Sequence, residues 1–192
     1  MGRAICVFCS SSDGVGELYA ECAWEMGRLI GKSGYSLVYG GGRLGLMGIV
    51  AKAARAAGAQ VTGVIPEALV ARGIAGADVD RLVITRDMRE RKAAMQERSD
   101  AFVTLPGGFG TLEELLEIMT LRQLGYHDKA VAVVNTAGFF DPLFAQIERM
   151  YELGFAKVEF RALSRVVPSP AEALVYVEGY LPAPLPPKWT AA

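Results

Sequence analysis

Histidine occurs once in these 192 residues and cysteine three times, and the charges nearly cancel, with 20 Lys plus Arg against 21 Asp plus Glu. With His127 as the only imidazole, no group of residues has metal-ligand spacing, so no metal is expected. Asp78-Val79-Asp80 reads as solvated loop. Three cysteines are too few, and odd in number, for a disulfide-stapled domain. Balanced charge withholds the basic field that draws a protein to a polyanion, so nucleic acid is not an expected partner. No apolar run reaches the roughly 20 residues that span a bilayer. Met1-Gly2-Arg3 passes straight into Ala4 to Cys9, without a signal peptide's apolar core. The expectation is a cytoplasmic chain with no membrane partner. GxxxxGK[ST] is missing too, which excludes a P-loop NTPase at the level of motif.

Cys6-x-x-Cys9 could be a redox pair or half of a zinc site. On a strand, residues three apart point to opposite faces, so buried, reduced thiols are expected instead.

What is abundant is apolar: 52% of the residues are hydrophobic, enough for one compact domain with a substantial core. Strand-length apolar runs at Ala4–Cys9, Ser36–Tyr39, Gln60–Ile65, Arg81–Thr85, Ala101–Leu105, Ala130–Val134 and Leu163–Val167 alternate with segments of helical period. The helices are expected at Glu17–Lys32, Gly45–Ala57, Met88–Arg98, Thr111–Leu124 and Pro142–Glu152, with a last one from Pro170, where Ser169 and Glu172 offer a capping box. This alternation predicts an α/β fold: a Rossmann-like, doubly wound parallel sheet with helices on both faces, in a single domain over 1–180. The proline-rich stretch 181–192 reads as a loosely attached tail.

Two glycine-rich turns each follow a predicted strand and open a predicted helix. The first runs from Tyr39 to Gly48 and satisfies GxGxxG through Gly40, Gly42 and Gly45, with Glu67 about where a dinucleotide fold puts its ribose-binding acid. Against a dehydrogenase, this turn follows the second strand rather than the first, and Pro66 breaks the chain just before Glu67. The second, Leu105-Pro106-Gly107-Gly108-Phe109-Gly110-Thr111-Leu112-Glu113-Glu114, is a plausible phosphate cradle, because glycines let amides approach an anion at a helix start. A tight structural turn is the alternative. Thr111-x-x-Glu114 is itself a capping-box pattern.

The PGGxGTxxE stretch Pro106 to Glu114, together with Met88-Arg89-Glu90-Arg91-Lys92-Ala93-Ala94-Met95, resembles the LOG family of cytokinin-activating nucleoside 5′-monophosphate phosphoribohydrolases, long labelled lysine decarboxylases. The resemblance runs from Val7-Phe8-Cys9-Ser10-Ser11-Ser12 through the Gly40 to Gly48 turn to about Tyr180. It implies a homodimeric enzyme that needs no cofactor and cleaves the base from AMP or an N6-prenylated relative. By position it assigns Arg91 and Glu114 as the catalytic pair, and Lys92, Gly108, Phe109, Gly110, Thr111 and Thr120 as substrate-binding, to which Ser10, Gly41 and Gly42 are added. Arg89 stands where many relatives have His, and Gly73 where plant relatives have a substrate-contacting Glu. None of the six lysines is marked as a Schiff-base lysine for pyridoxal phosphate.

Cleaving a ribose–purine bond builds cationic character on the sugar and negative charge on the departing base, as in other glycoside cleavages. Glu114 is suited to stabilise the first and to activate water. Arg91 is suited to the second, or to clamping phosphate. A nucleotide-binding module without catalysis is the rival from another class, which fold alone does not decide. Leu112, Leu115, Leu116 and Met119 predict a helix stripe against the sheet. Ile118, Leu121 and Gly125 predict a second stripe on a two-fold partner, unless another helix of the same chain covers it.

Overall fold

The computed structural model describes residues 3–77 and 79–189. Met1, Gly2, Asp78 and the last three residues of the tail, about which the sequence raised expectations, lie outside the described residues. The centre of the molecule is β1 (Ala4–Phe8), buried along its whole length. Ile5, Val7 and Cys9 feed one core, while Ala4, Cys6 and Phe8 feed the other. Period-2 alternation thus puts Cys6 and Cys9 on opposite faces of the sheet, and all three cysteines are free and buried.

Around β1 lie β2 (Ser36–Tyr39), β3 (Val61–Pro66), β4 (Arg81–Thr85), β5 (Ala101–Thr104), β6 (Ala130–Val134) and β7 (Arg165–Val167). They form one seven-stranded sheet in the order β4-β3-β2-β1-β5-β6-β7, with every pairing parallel. Such a sheet needs cover on both faces. Helices α1 (Glu17–Lys32), α2 (Gly45–Ala56) and α7 (Pro170–Glu178) supply it on one side, and α4 (Met88–Glu97), α5 (Phe109–Gln123) and α6 (Asp141–Glu152) on the other. The strand order reverses between β1 and β5, so the loops leaving these two strands diverge and leave a crevice at their carboxyl ends.

Several local details differ from expectation. Leu163 does not begin β7 but ends a 3₁₀ segment, Val158–Leu163, whose three-residue repeat turns Phe160 and Leu163 inward together. A short helix, α3 (Glu67–Val70), follows Pro66, which ends β3 in an extended conformation and stands as the N-cap of the helix. Ser169 caps α7 by accepting from the Glu172 amide, whereas the Glu172 carboxylate takes the Ser169 hydroxyl rather than closing a reciprocal box.

The described part of the tail is largely exposed and makes a few contacts with the domain. Leu185 packs on the second core, and Lys157 Nζ donates to the Pro187 carbonyl at 2.6 Å. Its root is held by Arg122, buried on α5, which donates through Nη1 to the Leu163 carbonyl at 2.7 Å and through Nη2 to the Tyr180 hydroxyl at 2.5 Å. Replacing Arg122 with Ala leaves those two acceptors unpaired and is expected to cost about 3 kcal/mol. Tyr180→Phe should cost about 1 kcal/mol. Urea midpoints at unchanged slope measure both; a loss for Arg122→Ala no larger than that for an exposed arginine would show that the tail hangs free.

Candidate active site

Helix α5 begins at Phe109, two residues earlier than the sequence suggests, with Gly108 as its N-cap and no side chain capping it. Thr111 and Glu114 therefore form no capping box. Instead Glu114 turns inward and is buried. Its Oε1 lies 3.3 Å from Arg91 Nη1, and both side chains are at least 94% hidden from solvent, with exposures of 3% and 6%. Arg91 comes from α4, whose start is pinned by Asp87 accepting from the Arg89 and Glu90 amides. Its Nε donates to the Val64 carbonyl at 3.1 Å, its Nη2 to the Gly40 carbonyl at 3.3 Å, and its Nη1 approaches Met88 Sδ at 3.7 Å.

The two glycine turns behave differently. A Cβ on Gly40 would stand 1.9 Å from Arg91 Nη2, and one on Gly45 would stand 2.5 Å from the Ser12 carbonyl oxygen. Asp13 already accepts from the Gly45 amide, and the Met47 amide donates to the Ser10 carbonyl. The chain itself thus packs closely against Gly40 and Gly45, although Gly40 and Gly42 still border the crevice, and Glu67 does not line it. In the second turn, Gly107 makes room for the Thr111 side chain, but a Cβ on Gly108 or Gly110 would meet nothing within 4 Å. Neither has a positive φ. Nothing within the chain calls for glycine at these two positions, so the space in front of them is open to something else.

That space is a cleft of about 400 Å³. One side is polar: Ser10, Ser11, Ser12, Thr111 and the Arg91–Glu114 pair. The other is apolar, built from Met47, Ile65, Leu69, Ile74 and Met88, with Phe109, 95% exposed, at its lip. Cys9 lies at the floor, and burial pushes its thiol well above the usual range, so it offers no nucleophile. Burial also pushes the Glu114 carboxyl up to about 7; Arg91 opposes this, Glu113 adds to it, Lys92 opposes it and Glu117 adds to it. A carboxyl poised near neutrality in a cleft, beside donors at a helix start, suits a proton-transfer site for an anionic substrate.

Residues 47–177 match the family described as "Possible lysine decarboxylase". Over 180 residues the chain is 44% identical to the probable cytokinin riboside 5'-monophosphate phosphoribohydrolase LOGL2 of Oryza sativa subsp. japonica, covering 94% of this chain and 74% of that one. It is 43% identical to the cytokinin riboside 5'-monophosphate phosphoribohydrolase LOG1 of Arabidopsis thaliana, covering 94% and 84%. The chain belongs to the LOG family. Among solved structures, the molybdenum cofactor binding protein of Rippkaea orientalis superposes with a TM-score of 0.71 at 20% identity, covering 93% of this chain and 97% of that one. A Moco carrier protein of Chlamydomonas reinhardtii also gives 0.71, at 22% identity, covering 93% and 96%. These two establish the fold.

Of the positions that the LOG motifs single out, Arg91, Glu114, Gly108, Phe109, Gly110, Thr111, Ser10 and Gly42 converge on the cleft. Gly41 does not line it; its φ is 71°, and a Cβ there would stand 2.9 Å from Ile65 Cβ. Lys92 does not line it either: its ammonium is paired with Glu113 and, at 3.1 Å, with Glu117 on the outer side of α4 and α5. Thr120 is exposed and donates to the Leu116 carbonyl. Arg89 is exposed, and Gly73 spends its carbonyl on Arg43, outside the lining. His127 sits in the turn before β6, bonded to the Ile118 carbonyl and the Lys129 amide. No lysine lines the cleft among the described residues, so nothing here fits a Schiff-base decarboxylase despite the family's description.

The apolar wall and Gly40 were not foreseen. Nothing in the sequence pattern marks Met47, Leu69, Ile74 and Met88 as a group, and only the three-dimensional crevice brings them together. The glycine geometry has a direct consequence. Gly40→Ala is expected to lower stability by about 2 kcal/mol or more, because its Cβ must displace a buried guanidinium. Gly110→Ala, with open space around its Cβ in a helix's first turn, should leave stability unchanged or raise it by up to about 1 kcal/mol. Thermal unfolding of the two variants distinguishes them; equal losses would show that the Gly40 socket has no special role.

Proposed function

We propose that this protein hydrolyses the N-glycosidic bond of purine ribonucleoside 5′-monophosphates, AMP and N6-prenylated AMP among them, giving the free base and ribose 5-phosphate. The observation that carries this reading is the placement of a buried carboxylate, Glu114, one helical turn inside a glycine-opened helix start that faces the same cleft. The start of α5 suits the 5′-phosphate, since its first amides and the positive end of its dipole point into the opening in front of Gly108 and Gly110. Anchoring the phosphate there holds the ribose within reach of Glu114 and supplies remote binding energy to the reacting carbon. The C1′–N bond breaks with its electron pair leaving on the base. Water forms the new C1′–O bond, and its proton passes to Glu114 and ultimately to the base. The apolar wall of Leu69, Ile74 and Met88 suits the purine and an apolar substituent on it. The matched names of the rice and Arabidopsis relatives support the substrate class.

Incubated with AMP and no cofactor, the protein is expected to release adenine, with kcat/KM for adenosine lower by about 10² or more for want of the phosphate anchor. Release of orthophosphate instead of adenine would overturn the reading. Glu114→Gln should reduce turnover on the order of 10³-fold while AMP binding changes little. Wild-type protein that binds AMP, plain or N6-substituted, and never releases base would be a nucleotide-binding module.

The same reading includes a homodimer, though not through the stripe expected from sequence. Helix α5 buries Thr111, Glu114, Leu115, Ile118, Met119 and Arg122 within its own chain, so Ile118 is core and Leu121 is half-buried against it. The outward face carries Phe109, Leu116 (42% exposed), Thr120 and Leu124, with Leu112 half-buried beside them. An apolar helix face next to a cleft is suited to a second copy, and Lys92 and Thr120, which miss their own cleft, stand on the side that copy would meet. Leu116→Asp is expected to sediment as a folded monomer with at least about tenfold lower activity. A folded monomer with wild-type activity would separate assembly from catalysis.

A further inference from the structure

Arg91 is the one charged group that touches Glu114 directly, and its surroundings decide what it can do for the reaction. A guanidinium carries five N–H donors in a fixed plane. Here Nε is spent on the Val64 carbonyl, one Nη2–H on the Gly40 carbonyl, and Nη1 on Glu114 and the Met88 thioether, so four of the five donors are engaged within the chain. The group is wedged between the carboxyl ends of β2 and β3, in a socket that exists because residue 40 has no Cβ. Turning it toward a phosphate would strip two backbone carbonyls of their partner and leave Glu114 buried without a counter-charge. A larger set of open donors for an anion lies at the start of α5, whose first amides have no side-chain cap and face the empty space in front of Gly108 and Gly110.

Resting on the hydrolytic reading above, we propose that Arg91 is a positioning residue for Glu114: it fixes the carboxylate's orientation and keeps it ionised, and holds neither the phosphate nor the departing base. The groups facing Glu114 are few. Arg91 and Lys92 approach from α4, Glu113 and Glu117 from its own helix, the Cys6 thiol from β1 and the Cys9 thiol from just beyond its end. Lys92 is occupied by Glu113 and Glu117, and the thiols stay neutral because burial raises both. Arg91 is therefore the principal influence opposing the burial that pushes the Glu114 carboxyl up to about 7. The sign follows: with Arg91 gone, the carboxyl takes up its proton at higher pH, and a reaction that needs the carboxylate is lost from the acid side first.

The test is the pH dependence of kcat for AMP in wild type, Arg91→Gln and Arg91→Lys, with KM for AMP and Ki for ribose 5-phosphate measured alongside. kcat is the quantity to follow, because the free substrate's phosphate itself ionises near pH 6. In wild type the acid limb should fall near pH 7. In Arg91→Gln it should move up by about one pH unit or more, so that a loss of more than about tenfold at pH 7 narrows as the pH rises. KM and Ki should stay within about threefold. Arg91→Lys, which keeps charge but loses the fork, should hold the limb near its wild-type place with a lower plateau. A Ki for ribose 5-phosphate raised by about thirtyfold with an unmoved limb would make Arg91 a phosphate ligand. An equal loss of kcat at every pH would make it a partner of the leaving base. A ¹³C-carboxyl NMR titration of Glu114 in wild type and Arg91→Lys reads the pairing without turnover. It therefore stands if the hydrolytic reading fails, and if Arg91→Gln does not fold. A Glu114 resonance in wild type that titrates in the ordinary carboxylate range and is unaffected by Arg91→Lys would overturn the proposal.

Discussion

Two opposite charges held side by side out of water are the constraint on which the rest of the site depends. Burying either Arg91 or Glu114 alone would cost several kcal/mol, and their mutual attraction offsets that only if the geometry is kept and the remaining donors are satisfied. Three separate pieces of chain meet that condition. The end of β3 supplies the Val64 carbonyl, the turn after β2 supplies the Gly40 carbonyl and the space beside it, and the first turn of α5 supplies the carboxylate. A change in any one of them reaches the other two through a single guanidinium. The cleft's polar side is accordingly rigid where charge must be placed and open where glycine leaves room.

The same pair sets how α5 lies on the sheet. From sequence, the helix would be turned so that Leu112, Leu115, Leu116 and Met119 face the sheet, with Ile118 and Leu121 on a second face toward a partner. The actual helix buries Glu114 and Arg122 because each has a partner reached only in the folded chain: Arg91 from α4, and Leu163 and Tyr180 from the C-terminal region. Leu116 is left outside in consequence. Hydrophobic periodicity reads where a helix is, and it reads the buried face well only when polar side chains have no long-range partners. That is why most strands, whose side chains have few such partners, lie close to where the apolar runs placed them, with the start of β7 displaced, and why the face of α5 does not.

A similar limit governs the site. The PGGxGTxxE stretch was legible because local pattern carries it, with glycines before a helix and an acid four residues from the last glycine, whereas Arg91 was singled out by the family resemblance alone. Lys92 and Thr120 occupy matched positions, yet they sit outside the cleft of their own chain, since adjacent residues on a helix face different ways. The apolar wall could not be read at all. Its residues come from β3, from the start of α2 and α4, and from the stretch around α3, and what makes them a wall is the gap between them.

The close packing against the first turn has a wider meaning for what this sheet can host. In a dinucleotide-binding fold, an open glycine turn at a helix start seats the pyrophosphate. Here the turn after β2 is stoppered from within, by a guanidinium against Gly40 and a carboxylate on the Gly45 amide. The chain has given the customary cofactor berth to its own side chains. The cradle in front of Gly108 and Gly110 belongs to α5, and it lies beside a carboxylate suited to hydrolysis rather than to redox chemistry.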